Sequence, residues 1–358
     1  MTMYGKVTVR YILFIHISLY VILAGCSPRI TNYRPQSYSD HKRILRVLEH
    51  NGLSDCFVIS EYVEEYRKDN IAWATSYLRY DLPTYVDWNT TIADIELQLD
   101  KNHFQSVIEQ LQQAPPINTA TITVLNRNLP IMKISLEQKI LGFMAIVIDD
   151  LGHNTKALDK ALLIDRPITY AVLPGLAKSN YLARRVAGHG DLIILHQPMA
   201  SKKKLDPGPG AIMPDMTEQQ VRYILEKNIQ SVPDVQGLNN HMGSAITTDK
   251  RLMRFIFRYL KERNLFFLDS LTEKNICPEI ALELGFSIYR RDVFLDNERD
   301  SNYIFGQIDQ LARITLRRGW AIGIGHFHPI TLECIRRKIP ELENDGIKLV
   351  YLNELNKR

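Results

Sequence analysis

The apolar run in MAIVIDDLGHN, residues 144–154, stops on two adjacent carboxylates, Asp149 and Asp150. Crowded acids repel, and one of them is driven toward protonation unless a cation lies close. A divalent metal removes that penalty. Neighbouring strand residues project in opposite directions, so one acid can bind the metal while the other turns toward an attacking water. Imidazoles that would complete the set close other apolar runs: His196 in DLIILHQPM, His241 in VQGLNNHMGS and His326 in WAIGIGHFHP. LFFLDS contributes Asp269, and YRRDVFLD contributes Arg291 and Asp292. A catalytic zinc site takes three protein ligands and keeps one position open, which one carboxylate and two imidazoles satisfy. The expected ligands are Asp150, His196 and His241, and the expected cofactor is a divalent metal, zinc by preference.

Groups so distant along the chain meet only if strand ends converge. After residue 140, short apolar runs alternate with amphipathic helical stretches: FMAIVID, ITYAVL, DLIIL, VQGLNN, LFFLD, WAIGIG and KLVYL. This alternation predicts an α/β fold of parallel strands with helical crossovers. Residues 140–358 suffice for a deformed β/α barrel of seven to eight strands, slightly short of the standard eightfold form, with catalytic groups at the C-terminal strand ends. Thr217 and Gln220 form a capping-box pattern before VRYILEKNI, and Gly319 stands where a helix C-cap belongs. Residues 41–138 read as a small α+β domain of unknown role. Its expected elements are a helix from HKRILRVLEHNG, a β-rich pair at DCFVISEY and IAWATSYLRYDL, a long helix over TIADIELQLDKNHFQSVIEQLQQ, and strands in TATITVL and LPIMKISL.

Lys6 and Arg10 precede the apolar stretch YILFIHISLYVILAG, which is short for a membrane span and reads as a secretory signal over residues 1–25. It ends in LAGC, which resembles the bacterial lipobox and makes Cys26 the expected lipidation site and membrane anchor. Ser27 after it matches the outer-membrane address of Gram-negative lipoproteins, so the expected location is the cell envelope, facing the periplasm. Residues 26–40, polar and proline-bearing, read as a tether. The 358 residues are 45% hydrophobic and 23% charged with a net charge of +4, an ordinary globular balance. Lys and Arg are scattered and the one run, Lys202 to Lys204, reads as a solvated loop, so no nucleic-acid partner is expected. Cys56, Cys277 and Cys334 show no CxxC spacing, which points to neither a zinc knuckle nor a disulfide framework. One bridge among them is compatible with an oxidising envelope, and the sequence does not choose it. The oligomeric state is not legible.

AIVIDDLGHN, YAVLPGL, LHQPMAS, PGPGAI, GLNNHMGSAITTD, FFLDS, RRDVFLD and AIGIGHFHPITL, in this order over about residues 143–355, resemble the divergent polysaccharide deacetylases. The resemblance implies a deformed β/α barrel, an envelope location and a hydrolase-like metal site acting on a glycan or peptidoglycan-type substrate. It implies that Asp149 is the base, that Asp150 binds metal and that His326 protonates the departing amine. His328 lies outside that pattern and reads as a surface residue. Two departures stand out. Better-known deacetylases take both imidazoles from one His-x-x-x-His stretch, whereas Ala200 stands four places after His196, so His241 is drawn in from another strand. Ala200 also stands where the divergent family commonly has Glu.

Several supporting residues keep two readings. Arg291 either orients Asp149 or stabilises an oxyanion, or else pairs structurally with Asp292. Asp269 either accepts from a ligand imidazole or caps the next turn. Asn239 and Asn240 satisfy strand-end backbone or touch substrate. Asp206 to Gly210, DPGPG, is a rigid turn first and a groove wall second. The function expected is a metal-dependent hydrolase removing N-acetyl or related acyl groups from an envelope glycan. The alternative is an inactive lipoprotein that uses the same barrel for binding, and a weaker third is metal-dependent ester cleavage.

Overall fold

The computed structural model describes residues 30–50, 58–114, 116–203, 205–271 and 275–357. The segment expected to be a signal peptide and Cys26, the expected lipidation site, lie outside the described residues, as does Cys56. Cys277 and Cys334 are buried free thiols. Among the described residues, no helix is long and apolar enough to cross a membrane.

The chain first builds a six-stranded sheet. Its elements are β1 (Thr31–Asn32), α1 (Arg34–His50), β2 (Val58–Lys68), β3 (Ile71–Asp81), α2 (Trp88–Lys101), β4 (Gln105–Ala114), β5 (Ile117–Asn126) and β6 (Leu129–Lys139). The strand order is β1-β3-β6-β5-β4, with β2 on the other edge of β3. Both helices pack against it over a core that includes Leu48, Leu78, Ile95, Leu99, Ile122 and Ile134. Two expectations are corrected. The tether read over residues 26–40 is folded from Thr31, because β1 pairs with β3 and α1 begins at Arg34. The long helix ends at Lys101, and QSVIEQLQQ falls in β4 instead. His103 turns the chain with a φ of 65°, and β4 then pairs antiparallel with β5 along its length. Glu, Gln and Leu favour helix locally, but sheet pairing overrides so weak a preference.

The second sheet has nine strands: β7 (Gly142–Leu151), β8 (Thr169–Val172), β9 (Leu192–Met199), β10 (Gly237–Met242), β11 (Phe266–Asp269), β12 (Ile288–Arg290), β13 (Val293–Phe294), β14 (Trp320–His326) and β15 (Ile347–Leu349). Its order is β12-β11-β10-β9-β8-β7-β14-β13, with β15 beside the start of β7, and every pairing is parallel. The expected deformed barrel is therefore present. One passage spans its seam. Arg291 N donates to Asp269 O on the β11 side, and Asp292 N donates to Ile322 O on the β14 side. The helices α3 (Leu158–Ala161), α4 (Ser179–Ala187), α5 (Glu218–Ser231), α6 (Lys250–Glu262), α7 (Cys277–Glu283), α8 (Ser301–Arg318) and α9 (Pro329–Asn344) cover the outside. Thr217 forms the expected capping box with Gln220 on α5, and Gly319 ends α8 with a left-handed φ of 87°.

Both faces of the parallel sheet are buried, which is why its strands are nearly continuous apolar runs. Alternation then divides each run between two cores. Met144, Ile146 and Ile148 join the helix-facing cluster, while Ala145 and Val147 join the inner one with Ile194, Leu268, Ile322 and Ile324. Counting on in twos from the inner residues reaches Asp149, His196, Ser270 and His326 at the mouth.

Candidate metal centre and active site

The acids of β7 do not project in opposite directions. The β7–β8 register shifts between Ile148 and Leu151, and Asp150 takes a left-handed φ of 66°. A bulge of this kind re-aims a side chain, and such strain persists only where surrounding contacts hold it. Both carboxylates consequently face one imidazole: His196 Nε2 is 3.2 Å from Asp150 Oδ1 and 3.7 Å from Asp149 Oδ2. His241 arrives from β10, with Nδ1 3.1 Å from the same Asp150 oxygen and 3.0 Å from His196 Nε2.

Asp150, His196 and His241 thus form a group of three that could hold a metal ion. The fit is chemical as well as spatial. Asp150 Oδ1 is buried and has no hydrogen-bond partner, although two ring nitrogens lie about it. Metal–donor bonds of about 2.0–2.1 Å at tetrahedral angles place donors roughly 3.3 Å apart, close to the spacing seen. Without a cation the group competes for protons. Burial acts to raise Asp150, but the two imidazoles outweigh it and hold the carboxyl well below its usual range. Burial likewise acts to lower His196, yet the fields of Asp149 and Asp150 push it up. A cation satisfies the same charges with both imidazoles neutral.

Asp149, buried at 2% exposure, is raised above the ordinary carboxylate range by burial, against the pull of His196 and His326. Its Oδ1 accepts from Asn239 Nδ2 at 2.8 Å. His326 lies beside it in register on β14. His326 Nδ1 is 2.7 Å from Asp296 Oδ1, while Asp296 Oδ2 accepts from His326 N at 2.8 Å and Thr331 Oγ1 at 2.6 Å. Burial acts to lower His326, but Asp296, with help from Asp149 and Asp150, pushes it up to about 9. His328, expected at the surface, is half-buried at the N-cap position of α9 without a side-chain cap bond, and its ring centre is 6.2 Å from that of His326.

The other expected residues have different posts. Asp269 does not reach a ligand imidazole: it accepts from Leu271 N at 2.9 Å and from Asn275 Nδ2 at 2.9 and 3.1 Å, capping the turn after β11. Its strand neighbours explain this, since Leu268 faces the inner core and Asp269 must face away. Asp292 is a structural ion pair, bound through both oxygens by Arg318 at 2.9 and 2.5 Å, and it accepts from Ile322 N. Its partner is therefore not Arg291. Arg291 donates to Ser270 O at 2.8 Å and Leu271 O at 2.9 Å, with its guanidinium 3.6 Å from the centre of the Phe294 ring. Burial lowers it, while the charges of Asp269, Asp292 and Asp149 act the other way. Asn239, and not Arg291, orients Asp149. Asn240 Oδ1 accepts from Ser270 N, and its Nδ2 donates to Met242 O, so this amide serves backbone.

Asp296 is missed by the sequence reading, and Asn239, expected to serve strand-end backbone or substrate, instead joins His196 to Asp149. The inner-face parity finds both: Phe294 faces the inner core, so Asp296 follows it to the mouth, and Asn239 shares register with His196. A cleft of about 310 Å³ opens beside His241, walled by Leu173, Leu176, Pro198 and the 206–209 turn, with His153 at its edge. The DPGPG turn is thus a groove wall as well as a rigid corner. Its end is held from below, where Gln197 and Asn228 both donate to Gly210 O.

Residues 146–356 match the family described as divergent polysaccharide deacetylase. An uncharacterized Escherichia coli protein, YibQ, is 31% identical over 217 residues, covering 60% of this chain and 68% of its own. An uncharacterized Haemophilus influenzae protein is 34% identical over 215 residues, covering 59% of this chain and 76% of its own. An uncharacterized Agrobacterium tumefaciens protein of known structure shares the fold at a TM-score of 0.57 and 22% identity, over 60% of this chain and 89% of its own. With the family match spanning more than half of its length, the chain belongs to the divergent polysaccharide deacetylases.

Proposed function

We propose that this chain is a metal-dependent hydrolase of the cell envelope that removes N-acetyl or related acyl groups from a glycan of the peptidoglycan type. The observation that carries the reading is the convergence of Asp150 Oδ1, His196 Nε2 and His241 Nδ1 within 3.0–3.2 Å of one another, beside a second carboxylate. These three residues would hold the cation, and zinc suits two imidazoles and a carboxylate. When bound, such an ion polarises an acyl carbonyl and renders water easier to deprotonate.

The protein residues move the protons. Asp149 Oδ2 takes one from the attacking water as the new C–O bond forms at the acyl carbon. His326 Nε2, with Nδ1 engaged by Asp296, delivers one to the sugar nitrogen as the C–N bond breaks, which releases acetate and a free amine. Arg291 adds a positive field near Asp149 and braces the 270–271 loop through its carbonyls. The cleft beside His241 receives the substrate. Anchoring through lipidated Cys26, at the outer membrane, would present this cleft to the periplasm. Loss of labelled fatty acid from a Cys26→Ala chain tests that part separately.

Acetate release from N-acetylglucosamine oligomers and peptidoglycan fragments tests the chemistry. Release that stops on chelation and in Asp150→Ala supports it. Release that survives both contradicts it, and tight glycan binding with no release favours a binding protein built on the same barrel.

A further inference from the structure

We propose that Asn239 is a positioning residue whose single amide fixes both the proposed base and a proposed metal ligand, an inference that rests on the reading of Asp149, Asp150, His196 and His241 given above. Asn239 lies on β10 with 0% exposure, in register with His196 on β9. Its Oδ1 is 2.7 Å from His196 Nδ1, and its Nδ2 donates to Asp149 Oδ1 at 2.8 Å and to Ser270 Oγ at 3.3 Å.

An amide has two unlike ends: the oxygen only accepts and the nitrogen only donates. A carboxylate oxygen only accepts, so Nδ2 must face Asp149. That choice sets Oδ1 against His196, and His196 Nδ1 must then carry the hydrogen. The tautomer that follows leaves the lone pair on Nε2, the nitrogen that lies 3.2 Å from Asp150 Oδ1 and 3.0 Å from His241 Nδ1. At the other end, Asp149 has Oδ1 engaged and Oδ2 left for the water. Metal-bound imidazoles commonly lean on a carboxylate or a carbonyl. A carboxylate at position 239 would serve His196 equally well but would repel Asp149, so the position requires a neutral group that accepts on one side and donates on the other.

The test uses the purified full-length chain and zinc alone, with affinity measured by competition against a chromophoric chelator. Asn239→Leu loses both bonds and is expected to weaken zinc binding about 10–100-fold. Asn239→Asp keeps the acceptor for His196 and is expected to stay within about threefold of the parent. The reciprocal exchange, Asn239→Asp with Asp149→Asn, rebuilds the pair with its polarity inverted. The zinc-free unfolding midpoint should fall by about 2–4 °C in Asn239→Asp and recover in the double variant. Equal zinc loss in both single variants, unchanged zinc binding in Asn239→Leu, or additive destabilisation in the double variant would overturn the inference. Asp150→Ala is the control: parental zinc affinity there would sink the metal reading itself and leave the exchange result readable.

Discussion

His196 Nε2 lies 3.2 Å from Asp150 Oδ1 and 3.7 Å from Asp149 Oδ2, so one imidazole nitrogen faces both acids of an adjacent pair. A regular strand cannot do this, because consecutive side chains leave opposite faces. The left-handed backbone at Asp150 brings the second acid round to the first, and the site exists because the strand bulges there.

The Asp296–His326 contact predicts a pH signature. His326 is pushed up to about 9, above the ordinary 6.5 or so of histidine. The stability this supplies is complete below about pH 6.5 and is lost as pH rises through about 9. Asp296→Asn should therefore destabilise the zinc-free protein more at pH 6 than at pH 10, by on the order of 2 kcal/mol. In turnover, the fall in rate on raising the pH should move to lower pH in the variant. Parallel profiles for the two proteins would separate Asp296 from the acid.

Asp292 supplies a contrasting case. It binds Arg318 and Ile322 N, and none of its hydrogen bonds goes to Asp150, His196 or His241. Asp292→Asn should cost roughly 1–3 kcal/mol in denaturant unfolding while zinc affinity stays at the parental value. A loss of zinc affinity comparable to that of Asp150→Ala would return Asp292 to the site.

Gly210 bears on the groove wall. Its φ is 72°, and an added Cβ would meet Asn228 Oδ1 at 2.4 Å. Gly210→Ala should push the 206–209 wall from its amide supports and destabilise by about 1–3 kcal/mol. KM for oligosaccharide should rise more than kcat falls, and an unchanged KM would remove this turn from the substrate path.

The barrel was legible because apolar runs alternated with helical stretches, and the strand-end argument brought Asp149, Asp150, His196, His241 and His326 to one mouth. The same argument leaves Asp269 between two readings, of which turn capping holds, and misplaces Asp292, since ending a strand does not say which face a residue takes. Counting in twos from Val147, Ile194, Leu268 and Phe294 would have rejected Asp269 and found Asp296. Nothing in the residue types announces the bulge at Asp150, which is fixed by pairing with β8. The β4 segment reads as helix for a similar reason: its Glu, Gln and Leu favour helix locally, and its pairing with β5 does not show in that composition.

Anomalous diffraction at the zinc edge, from crystals equilibrated with zinc, tests the central claim most directly. The account predicts one strong peak within bonding distance of Asp150 Oδ1, His196 Nε2 and His241 Nδ1. A peak elsewhere, or none at this trio in crystals that hold zinc at other positions, would contradict it.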